Sequence, residues 1–140
     1  MSVMHVEVVS GEENIYSGEA SFVVVPTVAG ELGIFPRHEP IMSLVRPGAL
    51  RLTVPNSQEE VLVAVSGGVL EVQPDKITVL ADVAIRSAEM DAARAEEAKR
   101  AAENNLSQAK DGEVKAKAQA ALAAAIAELK TLGYLRNRKK

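Results

Sequence analysis

The chain of 140 residues has no cysteine and no tryptophan, and only two Phe, two Tyr and two His. Lack of cysteine excludes a disulfide framework, a thiol nucleophile, an iron–sulfur cluster and a cysteine zinc site. His5 and His38 are the remaining soft ligands, and two histidines without a convergent carboxylate do not make a metal site. Four aromatic rings offer few stacking platforms, and a net charge of -3 opposes broad contact with a polyanion, so both argue against nucleic acid as a partner. No apolar run approaches the roughly 18 to 20 residues that cross a bilayer, and no leader pattern opens the chain. The chain is therefore read as cytosolic, with peripheral attachment to a membrane complex left open. Catalytic motifs are missing too: there is no Gly-x-Ser-x-Gly elbow and no GxxxxGK[ST] loop, and Gly67-Gly68 reads as a hairpin turn. His38, between Arg37 and Glu39 in a Pro-bounded loop, has no nucleophile to serve, and His5 reads as a strand residue. Nothing here supports an enzyme acting alone.

What is present divides at Arg86. The first 86 residues carry five basic and eleven acidic side chains, a net -6, and the remainder eleven and eight, a net +3. All six prolines and seven of nine glycines precede Arg86, whereas 16 of 22 alanines follow it. Proline and glycine punctuate turns and alanine is the best helix former, so strand and turn give way to helix at that point. The expected domains are 1–86 and 87–140. In the first, His5–Val9, Glu19–Val25, Ala49–Val54, Glu60–Val65, Val69–Val72 and Lys76–Ile85 read as strands rich in Val and Ile. Turn signals separate them at Ser10-Gly11, Ser17-Gly18, Ala29-Gly30, Pro47-Gly48, Pro55-Asn56 and Pro74-Asp75. This spacing, with no helical pattern between, predicts an antiparallel β-sandwich or flattened barrel.

The second region reads as two helices. Ser87 is the expected N-cap, with Glu89 and Asp91 in the first turn, and Ala95, Ala98, Ala102, Leu106 and Ala109 form one apolar stripe. Lys110-Asp111-Gly112 breaks the helix; Val114, Ala118, Leu122, Ala125, Leu129 and Leu132 form a second stripe, and Gly133 is the expected C-cap. So short a break implies an antiparallel hairpin. Its rods should have about 22 and 20 residues, near 33 and 30 Å at roughly 1.5 Å per residue. Alanine stripes bring helix axes close but bury little, since a methyl is worth about 0.8 kcal/mol against about 1.5 to 3 for Leu or Phe. Two uses fit such a hairpin: one permanently packed, and one that keeps its helices while changing what they touch. Lys130 and the tail cations Arg136, Arg138, Lys139 and Lys140 fit a helix C-terminus, and beyond that an acidic partner surface.

Five segments in register carry a further signal: GELGIFPRHEP at 30–40, RPGAL at 46–50, VSGGVLEVQP at 65–74, ITVLADVAIR at 77–86 and MDAARA at 90–95. Together they closely resemble the epsilon-subunit family of bacterial F-type ATP synthases, over essentially the whole chain. The resemblance implies a ten-stranded β-sandwich followed by a two-helix hairpin. It also implies a non-catalytic rotor subunit on the central stalk, bound to the gamma subunit and the c-ring at the cytoplasmic face of the bacterial inner membrane. Such a subunit couples proton flow to ATP synthesis, and in many bacteria its hairpin extends to the catalytic alpha/beta subunits and inhibits ATP hydrolysis.

By the same resemblance, Glu31 is at the position that faces the c-ring and His38 at the position near gamma. Arg136, Arg138, Lys139 and Lys140 would meet an acidic loop of the beta subunit. Asp91 and Arg94 match the family's ATP-binding pattern, but Met90 replaces its branched apolar residue and Lys117 is the lone cation of 116–127. ATP, the one regulatory ligand implied, is therefore expected to bind weakly or not at all, and no other cofactor and no metal is expected. The plainer roles are helix-end charge for Asp91, and for Arg94 an ion pair with Glu97 or Asp91. A free nucleotide-sensing module and an enzyme on a β-sandwich are the competing functions.

Overall fold

Strand and helix change over where the composition does. The computed structural model describes residues 2–11, 13–86 and 90–138, with side chains as far as Tyr134. Ten strands come first: β1 (Met4–Ser10), β2 (Glu13–Ala20), β3 (Phe22–Thr27), β4 (Gly30–Ile34), β5 (Ile41–Val45), β6 (Gly48–Thr53), β7 (Glu60–Val65), β8 (Gly68–Val72), β9 (Lys76–Ala81) and β10 (Ala84–Arg86). Two helices follow, α1 (Ala92–Gln108) and α2 (Gly112–Arg138). The strands run β10-β7-β6-β3-β5-β8-β9-β1-β2, with β4 paired to β3. The sheet folds over on itself as a sandwich close to a barrel. Its two ends approach where the Arg86 guanidinium on β10 lies 5.8 Å from the Tyr16 ring centroid on β2. Alternation explains the core: Val6 and Val8, Val23 and Val25, and Leu50 and Leu52 each point inward and are fully or almost fully buried.

Several expected boundaries shift, each for a local reason. Glu19–Val25 is two strands broken at Ser21, whose N–H turns to the Thr53 carbonyl. Lys76–Ile85 breaks at Asp82-Val83, where the chain leaves its pairing with β8 and β10 takes up pairing with β7. Ser17-Gly18 is not a turn but lies inside β2, paired to Glu7 and Val6. Gly67-Gly68 is not a hairpin turn either. It crosses from β7 to β8, which do not pair, and Gly68 at φ 141° presses so closely on the Leu80 carbonyl that a Cβ would collide with it. Among the described strands β1–β9 is the parallel pair; no local turn joins them, so no hairpin dictates their direction.

The helices depart from expectation at their ends. Asp91, not Ser87, caps α1, accepting the Arg94 N–H at 3.2 Å; Ser87 and Glu89 lie outside the described residues. Asp111 does the same for α2, accepting the Val114 N–H at 2.8 Å. Lengths are 17 and 27 residues rather than 22 and 20, giving rods of roughly 26 and 40 Å. Gly133 is not a C-cap: α2 continues through it to Arg138, and a Cβ on it would meet nothing within 4 Å. The buried stripe of α1 is Ala95, Ala102 and the half-buried Lys99, Leu106 and Ala109, while Ala98 faces out. On α2, Ala118 and Ala125 are buried and Leu122, Leu129 and Leu132 half-buried, but Val114 is 46% exposed.

Two substitutions check this backbone in urea unfolding. Gly133→Ala, inside a helix, should raise stability by about 0.5 to 1 kcal/mol. Gly68→Ala, strained and blocked by β9, should lower it by about 3 kcal/mol or more.

Candidate interaction surfaces and the hairpin dock

The sandwich has outer faces of opposite character. On β6 and β7, Ala49, Leu62 and Ala64 are almost fully buried although they point away from the core, because α2 lies across these two strands. They form one patch, since Ala49 pairs with Ala64 and Arg51 with Leu62. From α2 the stripe Ala127, Thr131, Tyr134 comes down on it; Ala127 and Thr131 are buried, and the Thr131 hydroxyl donates to the Ala127 carbonyl at 2.8 Å. This dock is made of methyl groups and one leucine. Its charged element is Arg51, whose guanidinium sits 4.8 Å from the centroid of the Tyr134 ring.

On β5, β8, β9 and β1 the outer face is bare. Leu44, Val69, Leu80 and Val9 stand opposite one another across four strands, with Leu44 59% and Leu80 55% exposed. Met42, at 70% exposure, extends the patch along β5, and Val28 lies beside it, its N–H donating to the Leu44 carbonyl. An apolar row of this kind on an otherwise polar surface marks a protein contact.

The 30–40 segment borders both faces. Glu31, on β4 opposite Pro26, is two-fifths exposed and forms an ion pair with Arg51 at 3.6 Å. His38 lies in the loop ahead of β5, half-buried, with its Nδ1 donating to the Glu39 carbonyl at 2.8 Å; the same loop is pinned by the Arg37 N–H on the Pro74 carbonyl. Phe35, 66% exposed, packs on Phe22 with ring centroids 4.5 Å apart, and the edge of the Phe22 ring lies so close over Gly33 that a Cβ there would press on it. The structure thus leaves Glu31 and His38 both reachable from outside, but on different elements. His5 sits in β1, its Nε2 3.3 Å from Glu7 Oε1 and 3.2 Å from the Ser17 hydroxyl, with Lys76 Nζ 3.4 Å from the other Glu7 oxygen. Among the described residues no three His, Cys, Asp or Glu side chains converge on a metal-sized site.

Asp91 and Arg94 come together in the first turn of α1, but each is engaged. The Asp91 carboxylate serves as the cap, and the Arg94 guanidinium donates across the hairpin to Glu128 of α2 at 3.4 Å. Glu128, a partner that the sequence did not suggest, is nearly buried, at 6% side-chain exposure. Of the tail cations, Arg136 and Arg138 belong to α2 by their backbone, and Lys139 and Lys140 lie outside the described residues. Sequence reasoning missed Arg51, Tyr134, Glu128 and the Ala49–Leu62–Ala64 patch. A signal for the patch was present: VLVAV in β7 is an unbroken apolar run, the mark of a strand covered on both faces. Truncating Arg94 to Ala leaves Glu128 with less compensation for its burial, so hairpin stability should fall by about 1 to 2 kcal/mol, with partial recovery on adding Glu128→Gln. Thermal unfolding followed by helical circular dichroism measures both.

Comparison with known proteins agrees with this architecture. Residues 3–87 match the ATP synthase, Delta/Epsilon chain, beta-sandwich domain, and residues 88–133 the corresponding long alpha-helix domain. The chain is 79% identical over 140 residues to the ATP synthase epsilon chain of Neisseria meningitidis serogroup C / serotype 2a, covering all of both proteins. It is 62% identical over 138 residues to that of Chromobacterium violaceum, covering 99% of each. It is 49% identical over 140 residues to that of Halorhodospira halophila, covering 100% of this chain and 99% of the relative. Among solved structures, a chain of the Euglena gracilis mitochondrial ATP synthase shares the fold with a TM-score of 0.72 at 19% identity, over 100% of this chain and 83% of that one. Two matched domains spanning nearly the whole sequence, and full-length relatives at this identity, show that the chain belongs to the epsilon-chain family of bacterial F-type ATP synthases.

Proposed function

We propose that the chain is a non-catalytic rotor subunit of the central stalk, on the cytoplasmic face of the bacterial inner membrane, which helps couple proton flow through the c-ring to ATP synthesis. Residues 1–86 bind the gamma subunit and the c-ring, and residues 87–140 form a hairpin that leaves the sandwich, extends toward the alpha/beta subunits and inhibits ATP hydrolysis. The observation that carries this is the contrast between the two outer faces: a bare apolar row at Met42, Leu44 and Leu80, and a second face closed only by a small-residue helix. The row is the gamma contact, with His38 at its edge, and Glu31 faces the c-ring. The solved structures of similar fold come from ATP synthase assemblies described as containing the c-ring, one as the central stalk with the c-ring. Among the described residues no helix is long and apolar enough to cross a membrane, so attachment through the complex fits.

Regulation by ATP at Asp91 and Arg94 is weak or absent in this member. A phosphate group there would compete with Glu128 for the Arg94 guanidinium and would face the carboxylate it displaced. In the extended state Arg136, Arg138, Lys139 and Lys140 meet an acidic surface of the beta subunit.

Calorimetric titration with purified gamma subunit tests the contact. The chain should bind at submicromolar concentration, and Leu44→Asp with Leu80→Asp should weaken binding about a hundredfold by placing charge in a dry interface. Ending the chain after Arg86 should leave gamma binding intact and raise ATP hydrolysis by the reconstituted complex. Unchanged hydrolysis would reject inhibition while sparing the stalk role.

A further inference from the structure

Arg51 stands between the partner-facing edge of the sandwich and the movable helix. From β6 it reaches diagonally over β3, on which Val24 pairs with Arg51 on one side and Gly33 on the other, to the Glu31 carboxylate on β4. Above the same guanidinium lies the Tyr134 ring of α2. About three-quarters of the Arg51 side chain is buried, and among the described residues its Nε is the buried side-chain nitrogen or oxygen that lacks a hydrogen-bond partner. An unpaired buried N–H opposes this position, so two contacts must hold the arginine there: the Glu31 carboxylate and the ring. A cleft of about 430 Å³, whose lining includes Pro26, Glu31, Arg46, Gly48, Lys130 and Tyr134, opens beside Glu31 and the ring.

We infer that Arg51 couples engagement of Glu31 to release of the hairpin: when a cationic group of a docking protein pairs with Glu31, Arg51 loses the contact that holds it against Tyr134, and α2 lifts from β6 and β7. The direction follows from the geometry. Glu31 is reachable, with two-fifths of its side chain exposed, so an outside cation can take its carboxylate. Left with the ring alone and an unsatisfied Nε, the guanidinium gains hydrogen bonds by swinging into water. The remaining dock is then apolar and small, being Ala127 and Thr131 on Ala49, Leu62 and Ala64. Here the hairpin responds to what the sandwich touches, with no nucleotide involved. This rests on the assignment of Glu31 as a partner-facing residue.

The chain has no native cysteine, so a single introduced thiol reports undocking in the full-length protein. Ala127→Cys, 1% exposed in the parent residue, is labelled with a chromogenic disulfide reagent, and Thr131→Cys serves as a second reporter in case the first disturbs packing. Glu31→Gln should raise the labelling rate about fivefold at both positions, and Arg51→Lys, which keeps the charge but loses the planar fork, should do the same. In a Tyr134→Leu background, Glu31→Gln should add nothing further, because the element it acts through is gone. Unchanged labelling in Glu31→Gln at both reporters, or a Glu31→Gln effect that persists undiminished with Tyr134→Leu, overturns the coupling. The free chain is used throughout, so this result and the gamma titration stand or fall separately.

Discussion

The shallow dock of α2 on β6 and β7 governs how the rest of the molecule works. Each alanine methyl buried there contributes about 0.8 kcal/mol and Leu62 about 2, whereas the sandwich interior is filled with whole Val, Leu and Ile side chains worth about 1.5 to 3 each. The two parts therefore differ steeply in what it takes to disturb them. Lifting the helix sacrifices a handful of methyl contacts and the one contact between the Tyr134 ring and the Arg51 guanidinium; opening the sandwich sacrifices the entire core. The helices themselves are rich in alanine and capped by Asp91 and Asp111, features that favour the helix independently of the dock. High intrinsic helicity with low docking energy is the combination that the proposed change of neighbours requires.

The proposed rotor role needs both properties in one chain. The sandwich supplies a rigid frame, nearly closed by the approach of β10 to β2, that carries the apolar row and the 30–40 segment at fixed positions. In that role a torque-bearing contact asks for rigidity, and regulation by the hairpin asks for the opposite. Keeping them on separate outer faces lets each operate without the other being remade. Arg51 is the exception, since it touches Glu31 on the frame and Tyr134 on the arm at the same time.

Much of this was legible in the residues. The shift from proline and glycine to alanine located the boundary between strand and helix, and Leu50 and Leu52 declared their buried face by alternation. Strands β4 and β5 were not, because GELGI and IMSLV are short and their signal is diluted by Gly and Ser. Gly67-Gly68 imitated a hairpin because sequence cannot reveal that β7 and β8 lie in different layers. Gly133 imitated a cap because the same residue that ends helices is tolerated inside one where no clash and no proline stops it. The site was half visible. Asp91 and Arg94 stood out through the family resemblance, but Glu128, an acid that pairs with Arg94, is 34 residues away and nothing local marks it. Arg51 looked like an ordinary outward residue of an alternating strand, and its meeting with Tyr134, 83 positions on, exists only in the folded chain.

The proposed exchange of the arm between two berths is most directly measured as a distance. With nitroxide labels at Arg46→Cys ahead of β6 and Gln119→Cys on α2, exposed residues that line one cleft, the free chain should give one short, docked separation by pulsed electron–electron resonance. α2 is 27 residues long, roughly 40 Å, so extension along a stalk moves the second label by tens of ångströms. In the assembled complex under conditions that favour hydrolysis, a second, much longer separation should be populated. A single short separation, unchanged from the free chain under every nucleotide condition, would contradict the movable arm.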